Sequence, residues 1–323
     1  MKNALPAKSS LLVLGGTGFL GSNLISSLRD KSIRITSVSR HAPESFFRSS
    51  SGIRHHTENI LNVSFLKHVV KGHDYIVYLA GHSGVTASAT HPIRDLEQNC
   101  KGSLTLLEAC KNDNPRASIV LVGSQLEYGS SGQLPHTESG MLNPDTIYGI
   151  HRTTTRLYTR FYARSYGVNV HYVRIPNVYG PHIRPATKTY NIVNYFIDQA
   201  LHNKDLYIYG SGRQRRDYLF VNDAVSAIIA TLTLRTRPGE DFNFGTGKGI
   251  SVQNLATRII TLTGQGSIHH VPWPGIPDTA DHIMSYAKAQ KILSWRPAIS
   301  LDEGLRKTIR FQKRLRIDAH ENR

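Results

Sequence analysis

Residues Ile147 to Arg152 read IYGIHR, which sets a phenol at Tyr148 and a guanidinium at Arg152. In a helix these are i and i+4 on one face, so a permanent cation stands beside the phenol. A phenol accepts a proton near neutrality only if its anion gains roughly 4 kcal/mol of differential stabilisation. A unit positive charge about 4 Å away, at an effective dielectric of about 20, supplies energy of that order. Arginine brings this charge as a planar fork that never loses its proton, where lysine would bring a compact ammonium. A second hydroxyl, Ser124 in IVLVGSQ, closes a run that reads as a buried strand. In parallel α/β sheets ligands bind at that C-terminal end.

A third stretch, GGTGFLG, spaces Gly15, Gly18 and Gly21 directly after the strand-like SLLVL and at the start of the helical FLGSNLISSL. Gly15 suits a tight turn, Gly18 a close approach of a pyrophosphate to the backbone, and Gly21 close helix-on-sheet packing. The helix N-terminus adds unpaired N–H groups and positive potential. A dinucleotide is therefore expected here. The second strand ends SVSR, with Ser39 where an acid would accept hydrogen bonds from the adenosine ribose, and Arg40 next. A hydroxyl and a guanidinium favour the 2′-phosphate of NADP. NAD stays open, with Arg40 stacking on adenine.

The elements that must position these residues alternate. IRITSV, HDYIVYLAG and ASIVLVGS are strand-like, and LEQNCKGSLTLLEACKND is a helical pattern between two of them. Leu20, Leu24, Ile25 and Leu28 share one face of the first helix. Strands spaced by helices predict an α/β fold: a Rossmann doubly wound parallel sheet covered on both faces. Asn143 and Pro144 are expected to cap and open the Tyr148 helix. Beyond about residue 180 the texture changes, and a smaller C-terminal α/β substrate-binding region is expected. There DLYIYGSGRQRRDYLFV reads as two short strands around a turn, Asn222 or Asp223 as the cap of a helix, and Ser300 as the cap of a closing helix. The expected division is 1–180 for the dinucleotide, with returning segments near 217–247, and 181–323 mainly for the substrate.

Composition sets the bounds. The chain has 323 residues, 39% hydrophobic and 19% charged, as in globular proteins. It has no apolar run near the roughly 20 residues of a membrane helix, no secretory h-region, and two cysteines, Cys100 and Cys110. A reducing cytoplasm is the expected location. The net charge of +16 points to acidic partners, phosphorylated small molecules and anionic surfaces among them, or to a solvated basic surface. Its spread along the chain argues against a nucleic-acid arm, and no membrane partner is expected.

The chain resembles the extended short-chain dehydrogenase/reductases of the NAD-dependent epimerase/dehydratase family, which act on nucleotide sugars, UDP-glucose 4-epimerase-like proteins among them. GGTGFLG, YLAGHSGVTAS, NCKGSLTLLEA, GSQLEYG, YGIHR, RIPNVYGP, GSGRQRRDYLFVND, FNFGTG and LSWRP follow the family's order over nearly the whole length. The resemblance implies Tyr148 as general base or acid, Ser124 as hydrogen-bond donor to the reacting oxygen, and Arg152 in place of the lysine that holds the nicotinamide ribose. Cofactor contacts are expected from Gly15, Gly18, Phe19, Leu20, Gly21, Ser39, Arg40, Asn59, Ile60, Leu79, Ala80, Gly81, Asn99, Tyr148 and Arg152. Substrate contacts are expected from Ser83, Ser124, Gln125, Asn177, Arg216 and Trp273, with surface roles for Arg213 and Arg215. No metal is expected, and pairing as a homodimer through the Tyr148 helix is.

Dehydrating members carry an acid three residues before the glycine of the YG pair. Here Leu126 takes that place, after Gln125. Glu127 lies one step later, which in an extended segment turns it to the opposite side. The expectation is a nucleotide-sugar epimerase, a UDP-sugar 4-epimerase with bound NAD(P). The alternatives are a 4-ketoreductase or dehydratase on a nucleotide-linked sugar, and a non-catalytic dinucleotide-sensing or RNA-binding protein. In the late loop VPWPGIPD, Trp273 stands where UDP-sugar members have an arginine, and Ser285 replaces an aspartate.

Overall fold

The computed structural model describes residues 4–41, 52–81, 84–130, 132–181, 191–273 and 280–321. Six strands come first: β1 (Ser10–Leu14), β2 (Arg34–Ser39), β3 (Ile53–Thr57), β4 (Tyr75–Tyr78), β5 (Ser118–Ser124) and β6 (Val170–Ile175). After them come β7 (Asn177–Tyr179), β8 (Leu206–Tyr209), β9 (Arg215–Arg216), β10 (Tyr218–Phe220), β11 (Asp241–Asn243), β12 (Ile250–Ser251) and β13 (Ile268–Val271). Seven of these form one sheet in the order β11-β6-β5-β4-β1-β2-β3, every pairing parallel. The chain runs outward from β1 to β3, then restarts at β4 on β1's other side. The crevice between β1 and β4 is the point where such sheets bind ligands.

Both faces are covered, so the central strands are apolar on both sides. Leu11 and Val13 face one core with Leu24, Ile25, Val225 and Ile228. Leu12 and Leu14 face the other with Leu66, Leu106, Leu107 and Tyr162. The first core seats the helices Phe19–Leu28 and Val221–Leu232, and the second seats Val63–Val69, Gly102–Asp113 and Ile147–Tyr166. β3 has the half-exposed sequence IRHHT and carries no apolar run, so the sequence pattern passed over it.

A third apolar cluster joins Val193, Phe196, Ile197, Leu206, Leu255, Ile259, Leu305 and Ile309 beyond the main sheet. Here DLYIYGSGRQRRDYLFV forms strands on both sides of its turn, β8 before it and β9 and β10 after it, but they do not pair with one another. β8 pairs in parallel with β13, β9 antiparallel with β12, and β10 in parallel with β7. Each strand finds its partner far away, because the intervening turn leads into three different sheets. The Val221–Leu232 helix starts after Phe220, so neither Asn222 nor Asp223 caps it, and Asp223 instead accepts from the Ile299 amide at 3.0 Å. Ser300 does sit at the start of the last helix, its Oγ accepting from the Glu303 amide at 3.3 Å.

The helical stretch before β5 is interrupted. Pro92–Leu96 and Gly102–Asp113 are α-helical, and between them Glu97–Lys101 widens into a π turn. The widened turn frees the Gln98 carbonyl to accept from the Tyr78 hydroxyl at 2.8 Å. Gln98, Asn99 and Cys100 are buried there, against the Tyr148 helix and β4.

Candidate active site

A cleft of about 1650 Å³ opens at the C-terminal ends of β1, β2, β4, β5 and β6. On its dinucleotide side the Gly15 turn carries φ +94°, and a Cβ there would lie 2.7 Å from the Ala80 amide nitrogen. A Cβ on Gly21 would meet the Gly15 carbonyl oxygen at 2.3 Å, so the helix lies directly on the turn. Gly15, Gly18, Phe19, Leu20 and Gly21 line the cleft, as do Ser39, Arg40, Ile60, Leu79, Ala80 and Gly81. Thr17 Oγ1 donates to Ser39 Oγ at 2.9 Å, which holds the hydroxyl at the end of β2.

Two expected cofactor residues do not reach the cleft. Asn59 is exposed, and its Oδ1 accepts from the Leu61 amide at 3.1 Å; its neighbour Glu58 lines the cleft instead. Asn99 is fully buried behind Gly81, with its Oδ1 2.2 Å from where a Gly81 Cβ would stand. It backs the cofactor wall without lining it.

Ser124 at the end of β5 and Tyr148 and Arg152 on the helix Ile147–Tyr166 line the same cleft. Asn143 and Pro144 do not open this helix. The Asn143 carbonyl lies against Gly129, where a Cβ would come within 1.9 Å, and the chain stays non-helical until Thr146. The Thr146 side chain caps the helix by accepting from the Gly149 amide at 3.0 Å. Gly167, at φ 67°, ends it in a left-handed turn. Tyr148 and Arg152 lie one turn apart, 9% and 7% exposed, and both line the cleft. The Arg152 guanidinium carbon stands 5.0 Å from the centre of the Tyr148 ring, and Nη1 donates to the Val122 carbonyl at 3.0 Å. Burial works against the Arg152 charge, but the phenols of Tyr148, Tyr172 and Tyr78 outweigh it and hold the guanidinium above its ordinary range. It is a fixed cation.

Ser124 ends β5 with its side chain on the cleft, and its Oγ accepts from the Leu126 amide at 3.2 Å. The segment that follows is not extended. Gln125–Glu127 is one turn of 3-10 helix, closed by a capping box in which Glu127 Oε1 accepts from the Ser124 amide at 2.9 Å. Gln125 lines the cleft, with its Oε1 buried and without a partner among the described residues. Glu127 is fully buried away from it. Its Oε2 accepts from Arg174 Nε at 2.9 Å, and Arg174 reaches Asp241 at 3.2 Å. Losing either partner of such a pair strands a buried charge, typically at about 3–5 kcal/mol.

The far end of the cleft is lined by Asn177, Asn191, Tyr209, Arg216, Trp273 and His282. Tyr209 and Trp273 pack with ring centres 5.7 Å apart. Arg216 is 8% exposed, and its Nη1 donates to the Arg215 carbonyl at 3.1 Å, which fixes the guanidinium at the wall. Arg213 is exposed, and Arg215 pairs with Asp281 at 2.8 Å, both outside the cleft. Ser83 and the loop segment after Trp273 lie outside the described residues. Sequence reasoning missed Glu58, Asn191 and Tyr209. Only Tyr209 had a local signal, the alternating LYIY before a glycine.

Residues 11–245 match the family model described as the NAD dependent epimerase/dehydratase family. The chain belongs to that family. It is 26% identical over 307 residues to a putative UDP-glucose 4-epimerase of Methanocaldococcus jannaschii, covering 94% of this chain and 98% of that one. It is 28% identical over 337 residues to a UDP-N-acetyl-alpha-D-glucosaminuronate decarboxylase of Bacillus cytotoxicus, with 96% and 100% covered. The crystal structure of UDP-glucose 4-epimerase with UDP-glucose from Thermotoga maritima superposes with a TM-score of 0.86 at 28% identity, covering 94% of this chain and 99% of that one. The doubly wound sheet and the C-terminal strands are thus those of an epimerase/dehydratase family member. Among the described residues no helix is long and apolar enough to cross a membrane.

The dinucleotide that the family name implies fits the residues present. A Cβ at Gly15 or Gly21 would strike the backbone of the turn or of the chain after β4, so only glycine lets the helix start sit this close. Gly15, Gly18 and Phe19 put the positive N-terminal end of that helix on the cleft, where a pyrophosphate would lie. In chemical terms the cleft offers a phenol, a hydroxyl and a fixed cation at one end of a dinucleotide-sized groove, with a guanidinium and an aromatic pair at the other. Leu126 stands at the position of the dehydratase acid, and the carboxylates that line the cleft among the described residues are Glu58 and Asp145.

Proposed function

We propose that the protein is a nucleotide-sugar epimerase, a UDP-sugar 4-epimerase that works by transient oxidation at sugar C4. NAD(P), when bound, supplies the reversible hydride acceptor. Tyr148 takes the proton of the sugar 4-hydroxyl as hydride leaves C4, and gives it back when hydride returns to the opposite face. Ser124 donates to the C4 oxygen throughout. Arg152, 5.0 Å from the Tyr148 ring centre, would favour the phenolate form over the phenol and would hold the nicotinamide ribose of a bound dinucleotide. At the far end Arg216 and Asn177 hold the diphosphate, Gln125 faces the sugar, and Tyr209 with Trp273 offers a stacking surface to the base.

The single observation that carries this reading is the contrast between two neighbours. Ser124 and Tyr148 line the cleft, whereas Glu127, the acid nearest the dehydratase position, is sealed in an ion pair with Arg174. The UDP-glucose in the Thermotoga maritima structure supports the choice of base. The other relative is a decarboxylase, so the reaction rests on these residues rather than on kinship. Ser39 and Arg40 at the adenosine end favour NADP over NAD. That preference is also what supports a one-way ketoreductase, which would use the same three groups.

Residues 1–180, with the returning 217–247, are proposed to hold the dinucleotide, and 181–323 mainly the nucleotide sugar. A homodimer is proposed through the Tyr148 helix. Leu157 and Phe161 are 55% and 52% exposed on it, and Ile93 beside it is 72% exposed.

The test is a product survey by NMR of the purified protein with UDP-, dTDP-, GDP- and CDP-sugars, alongside Tyr148→Phe. A mixture of C4 epimers with no net change in cofactor, lost in the variant, is expected. No conversion of any sugar by the wild type would overturn the proposal.

A further inference from the structure

We infer that Glu127 and Tyr172 are positioning residues that set the serine against the tyrosine helix, and so act on the reaction through Ser124 and Tyr148. This rests on the proposed function only for its kinetic consequence; the geometry stands by itself. Glu127 Oε1 accepts from the Ser124 amide at 2.9 Å, and the Tyr172 hydroxyl lies 2.9 Å from the same oxygen. That hydroxyl also lies 2.8 Å from the Arg152 carbonyl oxygen, within the Tyr148 helix. Both neighbours are acceptors, so the single Tyr172 proton is shared between them. Through it one buried carboxylate oxygen and one phenol join the end of β5 to the turn of helix that ends at Arg152. From the other side, Arg152 Nη1 reaches back to the Val122 carbonyl at 3.0 Å. Two links in opposite directions close the same gap.

Gly123 shows that the packing is specific. A Cβ there would stand 2.2 Å from the Tyr172 hydroxyl and 2.3 Å from Glu127 Oε1, so the strand must lack a side chain for the link to form. Arg174, fully buried, fixes the other carboxylate oxygen and is itself held by Asp241. The carboxylate is therefore oriented from both ends. A network confined to stability would have no need to reach both cleft-lining elements. Buried groups that pin a reacting side chain's backbone act on rate, because displacements of about 1 Å can cost on the order of 100-fold.

The test uses Tyr172→Phe, which deletes only the bridging hydroxyl, Glu127→Gln, and the double variant. On whichever nucleotide sugar the wild type converts, each single variant is expected to lower kcat by about 10-fold or more. KM and cofactor affinity should stay within about 2-fold. The double variant should be no slower than the slower single one, because both break one link. Unchanged kcat in folded variants, or additive losses that move kcat, KM and cofactor affinity together, would overturn the inference. A second readout needs no turnover. Hydrogen exchange at the Ser124 amide should speed up by about 10-fold or more in Glu127→Gln relative to the Val122 amide. Unchanged protection there would also overturn it. A wild type that converts no sugar yet shows this Ser124 response sinks the proposed function and leaves the positioning intact.

Discussion

The Arg152 guanidinium lies 5.0 Å from the Tyr148 ring centre while donating to the Val122 carbonyl at 3.0 Å. One side chain thus supplies a charge to the phenol and a tether to the strand that carries Ser124. A lysine at this position could supply the charge, but its compact ammonium lacks the planar fork that directs one nitrogen to the strand and another toward Gly81, where Nη2 would be 3.5 Å from an added Cβ. The substitution in YGIHR therefore keeps the cation and changes how it is held.

Two variants separate those roles. Arg152→Lys keeps the charge and is expected to retain kcat within about 10-fold of wild type. Arg152→Met removes the charge at similar length and should lower kcat by about 100-fold or more. Steady-state kinetics on a converted sugar compares them. Equal activity in Arg152→Met would show that the cation plays no part.

The adenosine end makes its own prediction. Arg40→Ala removes the cation that would meet a 2′-phosphate, so NADP affinity should fall by about 10-fold or more while NAD affinity holds. Titration with both dinucleotides reads the difference. A parallel loss of both would mean that Arg40 only stacks on adenine.

At the far end, Arg216→Gln removes the guanidinium proposed to hold the diphosphate, a charge-assisted contact worth about 1.5–3 kcal/mol. KM for the nucleotide sugar should rise by about 10- to 100-fold with a smaller change in kcat. Kinetics with varied sugar nucleotide checks the split, and an unchanged KM would remove Arg216 from the substrate site.

Stability below neutrality should follow His171. It is fully buried on β6, with neither ring nitrogen hydrogen-bonded among the described residues. Burial pushes its imidazole down to about 4 from 6.5, against a weaker pull upward from Glu240. The unfolded chain then binds the proton more tightly, so the contribution is whole above pH 6.5 and is lost as pH falls toward 4. Its size is about 3 kcal/mol. Denaturant midpoints measured from pH 7 to 4 should fall less steeply in His171→Leu than in wild type; identical slopes would count against it.

What was legible in the sequence follows from range. The strands of SLLVL and ASIVLVG announce themselves because both faces of a parallel sheet are buried, and the glycine turn is defined by its own neighbours. β3 is an edge strand with histidines and an arginine, so burial left no stripe to read. The strands β8 and β10 were legible, but their partners were not, because pairings such as Leu206 with Ile268 are encoded by no local pattern. Pro144 carried a helix-start signal, yet the Asn143 carbonyl packed on Gly129 keeps the chain extended and hands the cap to Thr146. Glu127 was placed on the correct side for the wrong reason. A 3-10 turn, not an extended step, buries it, and its partners Arg174 and Asp241 are distant in sequence. The placing of Tyr148 and Arg152 one turn apart on a helix was legible because an i, i+4 spacing is local.

The most direct measurement uses a UDP-sugar deuterated at C4. Hydride that leaves C4 and returns to the opposite face carries the label with it, so the 4-epimer should form with deuterium retained at C4 and no net NAD(P)H produced. Epimer formed with the label lost to solvent, or a 4-keto or deoxy product accumulating with stoichiometric change in the cofactor, would contradict the account.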